Sequence, residues 1–591
     1  MLENKKVNKY KSNAVLGLNL GHDSSACLVI DGQVRVAIAE ERLSRLKHHL
    51  PLNKNQEYLC KCPLAAIQYC IDIGGIALDD IDLVVASTTY VLNAKTKQRR
   101  ALEAKDVVAQ CKGLSLDRVR ITTHHFSHAV SSAWCSGYEE AAVIVVDGGG
   151  SIAEYGVGKI PTAFERTTLY HWDKQNLKLI RRSTGSPPDY GNSLGDFYQL
   201  ITEYLGFRAG EEGKTMGLSA YGRSQNFNQK EDRASENWKP LLPFETAISV
   251  DKDGKHSVSH AFQFTDSGEF PKQLIEWFGS PRKKSQPHNS LDRHIAASAQ
   301  WALEKAMLEI TNAAHRLTGS TQLCMAGGVA LNCVANGRIL QEGPFSNLFV
   351  QPAASDDGTA IGNALLAWKL STGQLPKWQF QSPYLGKKYS LSEVSSALQK
   401  FEQKIFIRHP VNLALDFANS VARGLIVGLF RGGSEFGPRA LGHRSIICDP
   451  QVPTMKDHLN LRVKHREDFR PFAPIVLEER VSKYFDLDKA SPYMLLAARV
   501  LRPESVPAIS HFDGTARVQT VNDQQEPFLC DVLRAFEART GVSVLLNTSF
   551  NVAGEPIVES PEDALRCFLG TGIDVLYIEN VCVYKDAQLF S

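Results

Sequence analysis

Short apolar runs that stop abruptly in glycine or acid constrain the fold of this chain more than any other feature. Residues 15–20 run into Gly21-His22-Asp23-Ser24-Ser25, residues 141–146 into Asp147-Gly148-Gly149-Gly150, and residues 323–326 into Gly327-Gly328. Runs of this length, rich in Val, Ile and Leu, read as buried strands. A glycine turn at a strand end lets backbone N–H groups approach an anion. Residues 26–30, the Asp31-Gly32 turn and residues 34–39 extend the opening into a strand–turn–strand unit. Residues 81–86 form a further strand, and 64–73, 126–136, 196–205, 294–317 and 360–370 read as helices. Strands interleaved with helices predict an α/β fold.

A chain of 591 residues exceeds what one core supports, so two domains are expected. Residues 371–382, with Gly, Gln, Pro and Lys, make the best linker and divide the chain into 1–375 and 376–591. Residues 223–292, rich in Lys, Asp, Ser and Pro, read as an irregular insertion, and 210–217 as a flexible charged loop. No internal repeat is visible. The 66 Lys and Arg nearly balance the 64 Asp and Glu, which argues against nucleic acid or an anionic membrane as partner. No apolar run is long enough to span a membrane, and the polar, lysine-rich start does not resemble a signal peptide. The 12 cysteines include no Cys-x-x-Cys pair, and Cys60-Lys61-Cys62 with Cys70 lacks a fourth ligand at zinc-site spacing. Free thiols in a cytoplasmic protein are the better reading.

The chemistry gathers at a few places. His124 and His128 lie one helical turn apart, so both imidazoles can close on one ion. Such a pair is weak evidence among 17 histidines, but Asp147 and a second carboxylate in Gln351-Pro352-Ala353-Ala354-Ser355-Asp356-Asp357-Gly358 strengthen it. Two imidazoles with one or two carboxylates suit iron, zinc or manganese, and residue types do not choose among them. The turn from Gly327-Gly328 to Asn332, opening a helix, makes a nucleotide cradle. In the last third, Phe436-Gly437-Pro438-Arg439-Ala440-Leu441-Gly442-His443-Arg444-Ser445 and Lys464-His465-Arg466-Glu467-Asp468-Phe469-Arg470-Pro471 set arginine forks and a lysine in shaped turns suited to phosphate. The run ending Leu546-Asn547-Thr548-Ser549-Phe550-Asn551 offers amides and hydroxyls at a strand end. His22 and Asp23 sit where a general base for an acceptor hydroxyl would be useful.

Taken together, Gly17-Leu18-Asn19-Leu20-Gly21-His22-Asp23-Ser24-Ser25-Ala26, the histidine pair, Asp147-Gly148-Gly149-Gly150, Gly213-Lys214-Thr215-Met216-Gly217-Leu218, Gly327-Gly328-Val329-Ala330-Leu331-Asn332 and the two arginine motifs resemble the ATP-dependent O-carbamoyltransferases of the nodulation, cephamycin and tobramycin type. The likeness runs from about Val15 to about Val581, weakest near 223–292. It implies an actin-like ATPase domain, close to the threonylcarbamoyl-transferring subunit of tRNA modification, followed by a smaller YrdC-like domain. The latter would make carbamoyl-adenylate from ATP, with Mg2+, and carbamoyl phosphate. The former would pass the carbamoyl group to a hydroxyl of a small molecule, a natural product or saccharide.

The resemblance places the metal ligands at His124, His128, Asp147 and Asp356, with Asp357 an adjacent alternative and iron the expected ion. It places the carbamoyl phosphate and ATP pocket at Arg439, Lys464 and Arg470, with His443, Arg444, Arg466 and Asn547 as neighbours. Gly148, Gly149, Gly327, Gly328 and Asn332 would hold the adenylate, and Lys214 would neutralise phosphate charge. His22 is expected to contact the acceptor, with Asp23 beside it. A homodimer is the base-rate expectation. Two other readings are threonylcarbamoyl transfer to tRNA, which the balanced charge disfavours, and a nucleotide-sensing protein without turnover.

Overall fold

The computed structural model describes residues 13–49, 61–92, 99–151, 164–185, 192–223, 238–265 and 268–586. Cys60 and the lysine-rich residues 1–12 lie outside these. The architecture is mixed α/β, and its strands gather into three principal sheets.

The first sheet contains β1 (Ala14–Asn19), β2 (Ser25–Ile30), β3 (Gln33–Ala39), β4 (Ile81–Ser87) and β5 (Val119–Ile121), in spatial order β3-β2-β1-β4-β5. The second contains β6 (Ala141–Val146), β7 (Phe164–Trp172), β8 (Leu177–Gly185), β9 (Gln322–Ala326) and β10 (Asn347–Val350), in order β8-β7-β6-β9-β10. In both, the first three strands form an antiparallel meander and the last two add parallel to the opening strand. The two sheets are topological copies. β1 and β6 are buried along their whole length, as a strand covered on both faces must be.

Helices cover these sheets. Helix α1 (His124–Ala133) follows β5 directly, with Thr123 Oγ1 accepting the Phe126 N–H as N-cap. Residues 212–219 are helical, not the flexible loop expected: α2 (Glu212–Ser219) buries Thr215 and Leu218, and Thr215 shares a 2.9 Å hydroxyl hydrogen bond with Thr202. Tertiary packing outweighs the two glycines there. α3 (Ser290–Thr318) opens on an Asn289–Asp292 capping box and stops at left-handed Gly319. α4 (Cys333–Glu342) follows the Gly327 turn, and α5 (Thr359–Thr372) lies across β1 and α1. A side chain at Gly362 would meet Ser127 O at 2.1 Å, so that helix crossing requires glycine.

The insertion near 223–292 is more regular than expected where described. A hairpin pairs Ile248–Val250 with His256–Val258, and Phe244 and Phe262 enter the core against Phe197. Each fully buried ring contributes roughly 1.5–3 kcal/mol.

After α5, capped by Gly373, no regular element intervenes until Leu391. The remaining strands are β11 (Phe406–Arg408), β12 (Val427–Phe430), β13 (Arg444–Cys448), β14 (Ala473–Leu477), β15 (Leu496–Arg499), β16 (Thr515–Val521), β17 (Val544–Ser549), β18 (Val575–Ile578) and β19 (Val581–Tyr584). They form one nine-stranded mixed sheet, β11-β19-β18-β12-β13-β17-β14-β16-β15. Arg45 ties this part to the first sheet by donating to the carbonyls of Ile557 (2.7 Å) and Pro556 (2.8 Å). Among the described residues no helix is long and apolar enough to cross a membrane.

Candidate active site

The two copied sheets deliver their chemistry from matching strand ends. The last strand of the first sheet, β5, leads into α1, whose helical period stacks His124 and His128 with their Nε2 atoms 3.2 Å apart. In the second sheet, Asp147 follows the opening strand β6, and Asp356 sits in the turn after β10. Asp147 Oδ2 lies 3.2 Å from His124 Nε2 and 3.5 Å from His128 Nε2; Asp356 Oδ1 lies 3.2 and 3.7 Å from the same atoms. All four residues are buried.

These separations fit a cation. Atoms bonded to one ion at about 2.0–2.2 Å stand about 3.0–3.6 Å from each other, close to the 3.2–3.7 Å between imidazoles and carboxylates here. Backbone contacts orient Asp147 toward such an ion. Its Oδ1 accepts the Gly148 N–H (2.8 Å) and the Gly328 N–H (3.2 Å), leaving Oδ2 toward the imidazoles. Burial opposes charge on His124, yet Asp356 and Asp147 push its pKa up to about 10. Burial likewise works against the Asp147 and Asp356 carboxylates, and the facing histidines hold both well below the usual range. Such a cluster holds positive charge whether proton or metal supplies it, and its donor set suits iron, manganese or zinc.

Asp357 does not join them. Among the described residues its Oδ1 accepts the Gly358 N–H alone, at 3.0 Å, and burial, with Asp23, Glu41 and Asp356 nearby, raises its carboxyl well above the ordinary value. Of the two adjacent carboxyl groups, Asp356 is the one aimed at the histidines.

His22 and Asp23, in the turn after β1, stand at the rim of the cluster. The His22 side chain is 49% exposed, with Nε2 3.1 Å from Asp356 Oδ2 and Nδ1 3.3 Å from Asp23 Oδ2. The charge of Asp356, then the hydrogen bond to Asp23, raise His22 well above its usual value. Asp23 in turn takes a 2.7 Å hydrogen bond from His48 Nδ1, a residue that no sequence motif singles out.

Around Asp147, Gly327 has φ +93°, and a Cβ there would lie 2.2 Å from Val146 O; a Cβ on Gly149 would crowd Arg166 Nη1 at 2.9 Å. These glycines allow close packing around Asp147: the Gly148 and Gly328 N–H groups go to its Oδ1 and the Gly327 N–H to Ala354 O at 2.8 Å. Asn332 is spent otherwise: Oδ1 caps α4 through the Ala335 N–H, and its amide exchanges hydrogen bonds with Gln300. Lys214 pairs with Glu211 (2.7 Å) and Glu467 (3.0 Å), so its charge is already balanced.

A second constellation gathers in the nine-stranded part. Burial lowers the Arg439 guanidinium to about 9, helped by the charges of Arg517 and Arg470. Arg466 is lowered to about 9 by burial, Arg470 and Arg517. Cations that depress one another are close together, and this group has too few acids: Nε of Arg439 and of Arg517 is buried without a hydrogen-bond partner among the described residues. Guanidiniums gathered in this way suit a polyanion. Arg517, on β16, is its unforeseen member. The available hint was a lone cation sharing a strand face with Gln519, which donates from its amide to Leu441 O.

The other expected members are distributed unevenly. Lys464 is buried, its ammonium well below the usual value through burial and then Arg466; it donates to Ser549 O and to Asn551 O and Oδ1 (both 2.9 Å), fixing the loop after β17. Arg466 donates to Asn460 Oδ1 (2.8 Å) and lies 4.7 Å over the Phe472 ring. Asn547 donates to Ala440 O and Gln519 Oε1, while its own Oδ1 is buried and has no partner among the described residues. His443 stacks on Tyr384 at 3.5 Å and pairs with Glu526. Arg444 is not in the pocket: it is fully buried, 3.6 Å from the Phe430 ring centre, and donates to the carbonyls of Arg431, Gly432 and His443.

The two constellations are neighbours. A Cβ on Gly437, in the Arg439 turn, would lie 2.9 Å from Pro352 O, in the loop that leads to Asp356. Cys333, the first residue of α4, feels the charges of Arg517 and Arg439.

Comparison with known proteins agrees with both halves. The family model described as Carbamoyltransferase N-terminus matches residues 86–365, and that described as Carbamoyltransferase C-terminus matches 418–585. The nodulation protein NolNO of Sinorhizobium fredii is 34% identical over 586 residues, covering 95% of this chain and 79% of its own. An uncharacterised Synechocystis protein is 36% identical over 628 residues, covering 96% of each. The 3'-hydroxymethylcephem-O-carbamoyltransferase of Amycolatopsis lactamdurans is 34% identical over 338 residues, covering 57% of this chain and 62% of its own.

Proposed function

The chain belongs to the carbamoyltransferase family, and from that premise we propose that it transfers a carbamoyl group to a hydroxyl of a natural product or saccharide in two ATP-driven steps. The observation that carries the reading is the acid-poor pocket of Arg439, Arg466, Arg470 and Arg517 packed against the loop bearing Asp356. In the first step the arginines bind carbamoyl phosphate and the triphosphate of Mg2+-ATP. Water hydrolyses the bound carbamoyl phosphate to carbamate and phosphate; a carbamate oxygen then attacks the α-phosphorus of ATP, pyrophosphate leaves, and carbamoyl-adenylate is formed. Lys464 keeps the Ser549–Asn551 wall in place.

In the second step the adenylate lies along the glycines beside Asp147 while the acceptor enters by His22. A divalent ion, iron by the family resemblance, would be held by His124, His128, Asp147 and Asp356 and would draw charge from the AMP phosphate, making it a better leaving group. His22 takes the acceptor proton once the Asp356 charge is engaged elsewhere. The oxygen then attacks the carbamoyl carbon, and AMP leaves. The paired sheet topology supports an actin-like first domain, residues 1–375; a YrdC-like second domain, 376–591, and a cytoplasmic location are proposed from the family resemblance and composition.

Incubation with ATP, carbamoyl phosphate and ferrous iron should release pyrophosphate, and a library of hydroxyl compounds should reveal the acceptor by a carbamoyl mass increase. Arg439→Ala should abolish pyrophosphate release, whereas His128→Ala should retain it and stop transfer. No pyrophosphate with any divalent metal would overturn the proposal.

A further inference from the structure

The turn after β1 holds a hydrogen-bonded series longer than the reaction above uses. Asp23 is its centre. Its carboxylate accepts from His48 Nδ1 at 2.7 Å, from His22 Nδ1 at 3.3 Å and from Ser355 Oγ at 3.3 Å. His22 Nε2 continues the series to Asp356 Oδ2 at 3.1 Å. His48 is itself anchored: its N–H donates to Glu41 Oε2 at 2.7 Å, and its carbonyl accepts the Asp23 N–H at 3.1 Å. Both Asp23 (φ +50°) and His48 (φ +58°) occupy the left-handed region that non-glycine residues avoid. Strain of that kind persists where surrounding contacts over-determine it.

We propose that His48 is a positioning residue for transfer: it locks the Asp23 carboxylate, and Asp23 in turn holds the His22 ring edge-on to Asp356, facing the acceptor. This rests on the role given to His22 above. The His22 ring turns about its Cβ–Cγ bond between two contacts, Asp356 at 3.1 Å and Asp23 at 3.3 Å, and the Asp23 carboxylate can itself rotate. The shorter bond from His48 removes that rotation. A fixed orienting group keeps the Nε2 edge on the reaction line when that nitrogen has given up its proton, and small departures from that line are costly in rate.

Three variants test this: His48→Ala, His48→Asn, whose amide N–H can replace Nδ1–H, and His22→Ala. Glycerol serves as the probe hydroxyl, and AMP and glyceryl carbamate are the products followed. His48→Ala should lower kcat for transfer about 100-fold with KM for glycerol little changed, and His48→Asn should recover to within about tenfold of the parent. Crystal structures should show the His22 ring turned off Asp356 in His48→Ala and restored in His48→Asn. This arm needs no accepted alcohol. Thermal midpoint and bound manganese per chain should match the parent in both His48 variants.

A His22 ring that stays in place in His48→Ala, or an Asn variant no better than Ala, would overturn the proposal. So would loss of a bound ion on removing His48, because Asp23, Glu41 and His48 would then be metal ligands. Full transfer by His22→Ala would instead remove the role given to His22, leaving the ring-position result as a separate finding.

Discussion

Replacing Gly327 by alanine should damage both the fold and the cation cluster, and the size of the effect follows from two separable terms. The first is backbone strain. Gly327 has φ +93° and ψ +158°, a region almost exclusive to glycine, which costs other residues about 1–3 kcal/mol. The second is overlap. The new methyl would lie 2.2 Å from Val146 O, so strand β6 or the turn must shift by about 1 Å, at a further cost of about 1–3 kcal/mol. Gly75 gives a milder, overlap-free reference: it is left-handed (φ +62°, ψ +33°) at a helix end with nothing within 4 Å of a built Cβ. Gly75→Ala should cost only about 1–2 kcal/mol.

The shift at Val146 also moves its neighbour Asp147, whose Oδ1 depends on the Gly328 N–H. Thermal denaturation with and without manganese reads both effects. The ion should raise the midpoint of the parent and of Gly75→Ala equally, since an ion at about 100 times its dissociation constant adds about 2.7 kcal/mol. In Gly327→Ala the base midpoint should be lower, and a loss of affinity of about tenfold would remove about 1.4 kcal/mol of the added stability. Equal midpoints for the two variants, or an undiminished manganese effect in Gly327→Ala, would refute the argument from close approach.

Protons and cations should compete at the imidazoles. With His124 raised to about 10, its protonation stabilises the ion-free protein fully below about 6.5, and that stability is lost as the pH climbs through about 10. Metal affinity should move the other way, rising about tenfold per unit between pH 7 and 9 by calorimetry, where a histidine of ordinary pKa would give a plateau. Asp356→Asn should weaken manganese binding at least about 100-fold, while Asp357→Asn, an amide for a protonated acid, should leave affinity unchanged and stability within about 1 kcal/mol. Arg517→Ala should slow pyrophosphate release about 100-fold, in the range expected for losing one charge-stabilising donor; a change below about threefold would exclude it from the pocket.

Strand ends were the readable part of this chain. Residues 141–146 matched β6 because an uninterrupted apolar run closed by Asp-Gly has few alternatives. The histidine pair was readable for the same local reason. The topological copying was not, since the two sheets share strand order and no visible sequence repeat. His48 and Arg517 escaped because their meaning depends on partners brought close only by folding. Arg444 misled in the opposite sense: a cation between glycine turns reads like a phosphate ligand, and only the finished sheet shows it satisfied by backbone carbonyls. Residues 210–217 read as loop because glycine and charge dominate them, while the helix over 212–219 rests on packing against α3.

The origin of the four convergent side chains has a mechanical consequence. α1 carries both imidazoles from the end of one sheet, and both carboxylates ride on turns of its topological copy. Whatever fills the space among them therefore rivets α1 to the turns of the copy, adding to its packing on β6 and β9. Chelating it should be felt well away from the site, as faster amide exchange along α1 and α5, the layer in which the pieces meet.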